Sequence, residues 1–185
     1  ARAQTAKSPG EKLVAAVMGL GRGADHIKAL QQIDNVDIAY LCDIDDARMA
    51  QVQKAAFGNA AKTPKGMKDF RRILEDKTVD ALIIAAPNHW HAPAAILACA
   101  AGKHVYVEKP GSHNAREAEL IVAAARKHQR VVQMGNQLCS WPGIIEAVQK
   151  LRDGAIGEVR SARTWYVNAR ASSGRGGSVP VPANL

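Results

Sequence analysis

The 185-residue sequence predicts an α/β fold in which helices cover both faces of a doubly wound parallel sheet. Short apolar runs alternate along the chain with longer stretches of helical periodicity. Most of the short runs are apolar at consecutive positions, as expected for strands that are buried on both faces. Only 4% of the residues are aromatic, so we expect a core built mainly from Ala, Val, Ile and Leu.

Five apolar runs are predicted to be strands, and a sixth strand is expected near Lys62–Pro64. The five are Leu13–Met18, Ile38–Cys42, Leu82–Ala86, Val105–Val107 and Val131–Met134. Helices are predicted between them, over Asp45–Phe57, Met67–Asp76, Ala92–Ala101 and Asn114–His128. Two of these helices are followed by a glycine, and the last opens with a capping-box-like Asn-x-x-Glu.

A glycine-rich turn, "MGLGRGADH", follows the first strand. Gly19, Gly21 and Ala24 satisfy the G-x-G-x-x-G/A fingerprint in its strand-to-helix setting, where the helix amino end holds a pyrophosphate. Asp43 ends the second strand, where an acid would bind the adenosine ribose hydroxyls. The pattern predicts a Rossmann-type dinucleotide-binding domain. We expect its turn to contact the cofactor through Gly19, Gly21, Arg22, Gly23 and Ala24.

The loop "APNHWHAP", residues 86–93, follows the fourth strand at the carboxyl edge of the sheet. A nicotinamide and its ribose would lie there, which makes Pro87, Asn88 and His91 candidate cofactor contacts. Asn88 could instead cap the next helix. His89 and His91 could suggest a metal, but no third ligand stands at a usual spacing, so we predict no metal site.

A lysine closes the fifth strand in "HVYVEKPGSH", residues 104–113. The proline keeps the residue before it extended, so Lys109 should sit fixed at the end of this strand. Sheets of this type bind ligands at the carboxyl ends of their strands. Lys109 is therefore a candidate site residue.

The second part of the chain has a different pattern. Trp141–Arg152 is predicted to be helical, and Val159–Asn168 alternates like a strand of an antiparallel sheet. One helix and one strand cannot bury a core of their own. We therefore expect a disordered lead-in over residues 1–11, a dinucleotide-binding domain over 12–136, and the first helix and strand of a truncated α+β second domain over 137–185.

The segments GLGRGA, CDID, APNHWHA, GKHVYVEKP and MGNQ, in this order, resemble the glucose–fructose oxidoreductase / inositol dehydrogenase / MocA family over about residues 12–170. The resemblance implies NAD as cofactor, a sugar, cyclitol or derivative as substrate, and a homo-oligomeric full-length form. The Asp43 carboxylate would accept hydrogen bonds from a free ribose 2′-OH and repel a 2′-phosphate, which favours NAD over NADP. The resemblance also implies a cis Lys109–Pro110 peptide. Lys109 would be the catalytic residue, acting on the substrate hydroxyl, and Glu108, Lys109 and Asn136 would contact the cofactor.

Two alternatives to a dehydrogenase stay open. The PNHWHA sequence of residues 87–92 resembles a branch of the family that carries a PxHWHA loop. That branch is similar to NAD-dependent α-N-acetylgalactosaminidase-like glycosidases, which work by transient oxidation and elimination. A His is common in the glycine-rich turn of those members, whereas "SSGRGG" here carries Arg175. The other alternative is a non-catalytic NAD- or ligand-binding module. Because the family's second acid/base pair lies beyond the last residue, we expect this chain alone to be inactive.

Composition limits the partners and the compartment. The formal net charge is +8, but the basic residues do not cluster with stacking aromatics, so we expect no specific nucleic-acid binding. Three widely spaced cysteines without a CxxC pair predict neither a disulfide framework nor a zinc site. Residues 81–102 lack charged side chains but contain prolines and histidines, which favours strand, loop and helix over a membrane span. Ala1-Arg2-Ala3 fits a signal-peptidase site and hints at a periplasmic or secreted protein; otherwise we expect a cytoplasmic one.

Overall fold

The computed structural model of the chain describes residues 12–58, 60, 62–167, 169 and 180–181. The predicted lead-in over residues 1–11 and the "SSGRGG" turn with Arg175 lie outside the described residues. The chain divides into two compact units, and the boundary falls between Gly135 and Asn136.

The first unit contains a six-stranded parallel sheet. Its strands are β1 (Leu13–Met18), β2 (Val36–Cys42), β3 (Lys65–Met67), β4 (Ala81–Ile84), β5 (His104–Glu108) and β6 (Val132–Gly135). They are arranged in the order β3-β2-β1-β4-β5-β6, which confirms the doubly wound Rossmann-type fold. The winding direction reverses between β1 and β4, so the loops that follow these two strands flank a crevice.

Five helices connect the strands: α1 (Gly23–Leu30), α2 (Asp46–Phe57), α3 (Phe70–Glu75), α4 (His91–Ala100) and α5 (Ala115–His128). Aspartates cap two of them, since the Asp45 carboxylate accepts the first backbone N–H groups of α2 and Asp69 does the same for α3. Asn114 caps α5 as predicted, and Glu117 accepts the N–H of His113 over 2.7 Å.

Several predicted boundaries were displaced by one or more residues, and two of these displacements have a clear structural cause. β3 begins at Lys65 rather than near Lys62–Pro64, because the proline has no N–H with which to join the ladder to β2. The following helix was predicted from Met67, but Met67 still pairs with Cys42 in the sheet. Asp69 caps the helix, so α3 can begin only at Phe70.

Two apolar layers enclose the sheet. Ala16 and Met18 point into a layer with α3, α4 and α5, while Val17, between them, points into a layer with α1 and α2. Four alanines of α4 have no exposed surface, namely Ala92, Ala94, Ala95 and Ala98. Small side chains therefore let α4 lie close to the sheet and α5. The uncharged stretch over residues 81–102 is confirmed as strand, loop and helix, and none of the described helices is long and apolar enough to cross a bilayer.

A buried lysine closes the amino edge of the sheet. Lys103 is 3% exposed, and its Nζ donates to the carbonyl oxygens of Asp76 and Val79 over 2.5 and 2.8 Å. Removal from water lowers the pKa of Lys103. The amine ties the α3–β4 connection to the start of β5, at the opposite edge from the strand ends that carry the predicted site.

The second unit contains helix α6 (Pro142–Arg152), in agreement with the predicted helix. The predicted strand over Val159–Asn168 is wrong for residues 159–167, which have no strand conformation; residue 168 lies outside the described residues. A strand requires a neighbour for its backbone hydrogen bonds, and the described part of this unit offers none. Trp165 and Val167 are 79% and 86% exposed.

Candidate functional site

Each of the three glycines in the turn after β1 has a different structural role. Gly19 has φ +85°, and a Cβ there would lie 2.5 Å from the Ala86 nitrogen, so only glycine lets the turn meet the chain after β4. A Cβ on Gly23 would lie 2.9 Å from a Val17 methyl, because α1 packs tightly on β1. Gly21 would meet only the Arg48 guanidinium, at 3.8 Å, which leaves its backbone open to a ligand.

The other two predicted residues of the turn are placed differently. Arg22 precedes α1, and its guanidinium is exposed and pairs with Asp25 over 2.8 Å. Ala24 lies in the first turn of α1 and is partly exposed. Contacts from these two residues to a cofactor stay predictions.

Asp43 connects the end of β2 to the glycine turn. Its Oδ2 accepts the Leu20 N–H over 2.8 Å, and its Oδ1 accepts the Asp45 N–H over 3.1 Å. The carboxylate therefore holds the turn in place. Each carboxylate oxygen can accept a second hydrogen bond, so Asp43 can still receive ribose hydroxyls.

A cavity of about 820 Å³ lies at the carboxyl ends of β1, β2 and β4. It falls within the usual size range of cofactor pockets and lies at the reversal of strand order, where doubly wound sheets bind nucleotides. Four of the predicted cofactor residues line it, namely Gly19, Gly21, Asp43 and Pro87. These four predicted residues therefore lie together around one cavity, and their contacts with a cofactor stay predictions.

The outer wall of the cavity carries three cations that sequence reasoning left out of the site. Lys68 pairs with Asp46 over 2.9 Å. Arg71 donates to Asp69 over 2.8 Å and so holds the pKa of that carboxyl below its usual value. Arg48 is exposed on α2, and it also lines the cavity beside Gly21. These cations favour the negative charge of a dinucleotide's phosphates.

A thiol also lines the cavity. Burial raises the pKa of Cys42 to about 12, and the nearby charge of Asp43 acts in the same direction. Cys42 is therefore a neutral thiol at ordinary pH, and nucleophilic chemistry, which needs the thiolate, is excluded at this position.

The loop after β4 forms a short 3₁₀ turn over Asn88–Trp90. The Trp90 ring meets Phe70 edge to face, with centroids 5.9 Å apart, and both rings line the cavity. Asn88 is exposed and does not cap α4, whose N-cap residue is Trp90. Asn88 thus remains available to a ligand.

His91 is corrected from cofactor contact to structural residue. Its ring is 1% exposed, with Nδ1 2.6 Å from the Pro110 carbonyl oxygen and Nε2 2.7 Å from that of Ala86. Both ring nitrogens are therefore already used by the backbone. Among the described residues, no three His, Cys, Asp or Glu side chains converge as metal ligands.

The Glu-Lys-Pro segment lies at the end of β5, and its Lys109–Pro110 peptide is cis, as predicted. Glu108 is 6% exposed; its Oε1 meets His26 Nε2 at 2.8 Å, and its Oε2 accepts the Lys109 N–H over 3.3 Å. Lys109 itself is exposed, and its ammonium has no hydrogen bond or ion pair within the described part of the chain. Its position leaves it free to act on a ligand.

A family model described as an oxidoreductase family with an NAD-binding Rossmann fold matches residues 13–136. The chain belongs to the Gfo/Idh/MocA oxidoreductase family. It thus has the NAD-binding domain of that family, and the glycines, Asp43 and the cavity fit that cofactor.

Several Gfo/Idh/MocA relatives match over most of this chain. Inositol 2-dehydrogenase of Salmonella typhimurium is 30% identical over 160 residues, which are 85% of this chain and 46% of that protein. Glycosyl hydrolase family 109 protein 2 of Shewanella sp. (strain ANA-3) is 29% identical over 82% of this chain and 34% of its own length. The crystal structure of an NAD binding oxidoreductase from Klebsiella pneumoniae superposes with a TM-score of 0.67 at 30% identity, over 80% of this chain and 40% of that one. This chain thus spans less than half the length of these relatives.

His26, which contacts Glu108, is a further residue that the sequence reasoning missed. It lies on α1 between Gly23 and Ile27, both buried, so helical spacing alone indicates that it leans toward the sheet. Nothing in the sequence indicates its partner, because Glu108 is 82 positions away. Asn136, the last predicted cofactor residue, begins the second unit and is exposed.

Proposed function

We propose that this chain is the NAD-binding part of an oxidoreductase that transfers hydride between the cofactor and a sugar, cyclitol or derivative. The observation that carries the proposal is the ammonium of Lys109, which is exposed and has no partner among the described residues. It lies at the end of β5, beside β4, whose following loop lines the cavity at the glycine turn. The relative named inositol 2-dehydrogenase supports the substrate class.

The bound cofactor would supply the hydride donor or acceptor. Gly21 leaves its backbone open to the pyrophosphate, and the positive end of the α1 dipole would favour the negative charge of that group. Asp43 would accept hydrogen bonds from the adenosine ribose. Pro87 and Asn88 follow β4, on the side of the cavity nearest β5, and would border the nicotinamide half.

Lys109 would act as the acid/base group. In the oxidation direction the neutral amine can accept the proton of the substrate hydroxyl while the hydride leaves, which makes it an ammonium; in the reduction direction the ammonium donates that proton back to the substrate oxygen. The amine needs freedom from internal partners for this, and Lys109 has that freedom in the described chain. Glu108, held below it, would keep the backbone of the lysine in place.

We further propose residues 12–136 as the cofactor domain and 137–185 as the start of a substrate and oligomerisation domain. The full-length form would be a homo-oligomer without specific affinity for nucleic acid. Each of these assignments rests on the sequence.

The test is Lys109→Met in the full-length protein, with Lys127→Met on the exposed surface of α5 as the matched control. Turnover with a panel of sugars and cyclitols is followed by NADH absorbance. We expect Lys109→Met to lose about 10²–10⁴-fold in kcat while the Kd for NAD stays within about threefold. The control should behave like the wild type. Near-normal turnover of Lys109→Met would show that Lys109 is not catalytic.

A redox-assisted glycosidase is the second candidate, because the Shewanella relative is named as a glycosyl hydrolase. Such an enzyme returns its hydride within each cycle, so it would release sugar from aryl glycosides without net NADH formation. A dehydrogenase would accumulate NADH in proportion to product. Measuring both products in one reaction therefore separates the two functions.

A further inference from the structure

Two histidines that have no part in the proposed chemistry reach the Glu-Lys-Pro turn from opposite sides. His26 comes from α1, the helix that the glycine turn opens, and His91 comes from α4, directly after the loop that lines the cavity. Both are therefore attached to segments that would hold the cofactor. Each makes its contact with a residue adjacent to Lys109.

His26 acts on the residue before the lysine. Its Nε2 lies 2.8 Å from Glu108 Oε1, and the two side chains are only 19% and 8% exposed, so water screens the pair weakly. The His26 ring also packs edge to face on Tyr106, with centroids 5.1 Å apart, which fixes the direction of the imidazole. Glu108, once held, accepts the N–H of Lys109 with its other oxygen.

His91 acts on the residue after the lysine. A carbonyl oxygen only accepts hydrogen bonds, so both ring nitrogens must donate if both the Ala86 and the Pro110 contacts are to be hydrogen bonds. The ring thereby joins the end of the β4 segment to the turn that follows Lys109. Burial leaves it no competing contact with water.

We propose that His26 and His91 are positioning residues that fix the backbone of Lys109 and so aim its ammonium at the reacting carbon. This inference rests on the proposed function. Each neighbour of the lysine is held by one imidazole, while the lysine ammonium has no hydrogen bond or ion pair with any residue that the structure describes. Fixing the backbone restricts where a flexible side chain can place its amine, and a displacement of about 1 Å can cost about 10²-fold in rate. The two histidines thereby connect the helices next to the cofactor cavity, α1 and α4, to the backbone on either side of Lys109.

Two amide substitutions at each histidine test this, because Asn places its NH₂ near the position of imidazole Nδ1 and Gln near that of Nε2. At position 26 the contact to Glu108 uses Nε2, so His26→Gln should keep the hydrogen bond and the activity, whereas His26→Asn should lose both. At position 91 the contact to Pro110 uses Nδ1, so the order reverses, with His91→Asn better than His91→Gln. A role that only fills space would favour the larger Gln at both positions.

The kinetic measurement uses the full-length protein. We expect the failing variant at each position to lose about 10- to 100-fold in kcat, with the KM for NAD within about threefold, and the matching variant to recover most of this loss. The same substitutions in a Lys109→Met background should have no further effect, because they act through the lysine. The proposal is overturned if the histidine substitutions lower kcat by the same factor in the Lys109→Met background as in the wild type. Equal kcat for the Asn and Gln variants at both positions also overturns it.

A second measurement needs no turnover and uses the 185-residue chain. Hydrogen exchange of the Lys109 amide, read by NMR, should become at least about fivefold faster in His26→Asn and stay unchanged in His26→Gln, because this amide depends on Glu108. The amide of Ile83 in β4 is the internal control. Unchanged Lys109 exchange in His26→Asn overturns the positioning role even where Lys109 proves catalytic. Conversely, full activity of Lys109→Met overturns the proposed function. The exchange result then still tests whether His26 holds the backbone of Lys109 through Glu108.

Discussion

Replacing Gly19 by alanine is the sharpest test of the glycine turn. The residue has φ +85°, and an added Cβ would lie 2.5 Å from the Ala86 nitrogen and 2.6 Å from the carbonyl carbon and oxygen of Ala85. These are backbone atoms, so no change of rotamer can relieve the contact. The turn and the chain after β4 would have to move apart.

The cost has two parts. A non-glycine residue in the left-handed region costs about 1–2 kcal/mol, and overpacking of a tight contact costs about 1–3 kcal/mol. The sum is about 2–5 kcal/mol, which is roughly a third of the 5–15 kcal/mol that is typical of a domain's free energy of unfolding. Gly19→Ala should therefore be folded but clearly destabilised.

Gly21→Ala is the matched control, because a Cβ there meets only the end of a flexible arginine side chain at 3.8 Å. Urea denaturation should show a change within about 0.5 kcal/mol for Gly21→Ala. Calorimetric titration should nevertheless show at least a tenfold weaker Kd for NAD, about 1.4 kcal/mol, because the methyl group blocks the approach of the pyrophosphate. Equal stability of Gly19→Ala and wild type would refute the account of the turn.

Three further predictions concern the cofactor, acid stability and thiol chemistry. Asp43 repels a 2′-phosphate, so parallel titrations should give at least tenfold tighter binding of NAD than of NADP, about 1.4 kcal/mol. Hydrogen bonds from Thr78, and then from Tyr40, lower the pKa of Asp76 to about 2, from about 3.9 when unfolded. Its stabilisation is therefore complete above the unfolded value and disappears as the pH falls through about 2, and Tyr40→Phe should weaken this dependence in denaturation curves. A thiol reagent should label Cys139 in the native chain and spare the two buried cysteines, as mass spectrometry can show.

The sequence predicted the parts of the fold that depend on local pattern. The first strand was correct to the residue, and Asn114 was recognised as a cap, because apolar runs and capping chemistry lie within a few positions of one another. The failures involved distant partners. Val159–Val167 alternates like a strand, but alternation does not provide the neighbouring strand that a ladder requires. The strand near Lys62–Pro64 was displaced for a related reason, since pairing with β2 decided its place.

The candidate site shows the same division. Gly19, Gly21 and Asp43 were located because the fingerprint is local and has a known relation to the first two strands. His91 was assigned to the cofactor because its loop was correctly placed, but loop position does not reveal which way a ring faces. His26 was missed because its partner, Glu108, is distant in the sequence and comes close only when α1 and the end of β5 are placed by the fold.

The strand order has a consequence for how the chain is made. β1 is the centre of the sheet, yet β2, which follows it, covers only one of its edges. The other edge must wait for β4, so residues 43–80 are synthesised while an apolar strand with unpaired N–H and C=O groups is open on one side. A nascent chain paused in this interval would present a template for pairing with other chains, and chaperones would have most to protect there. The ribosome thus completes β2 and the edge strand β3 before the central strand β1 is enclosed on both sides.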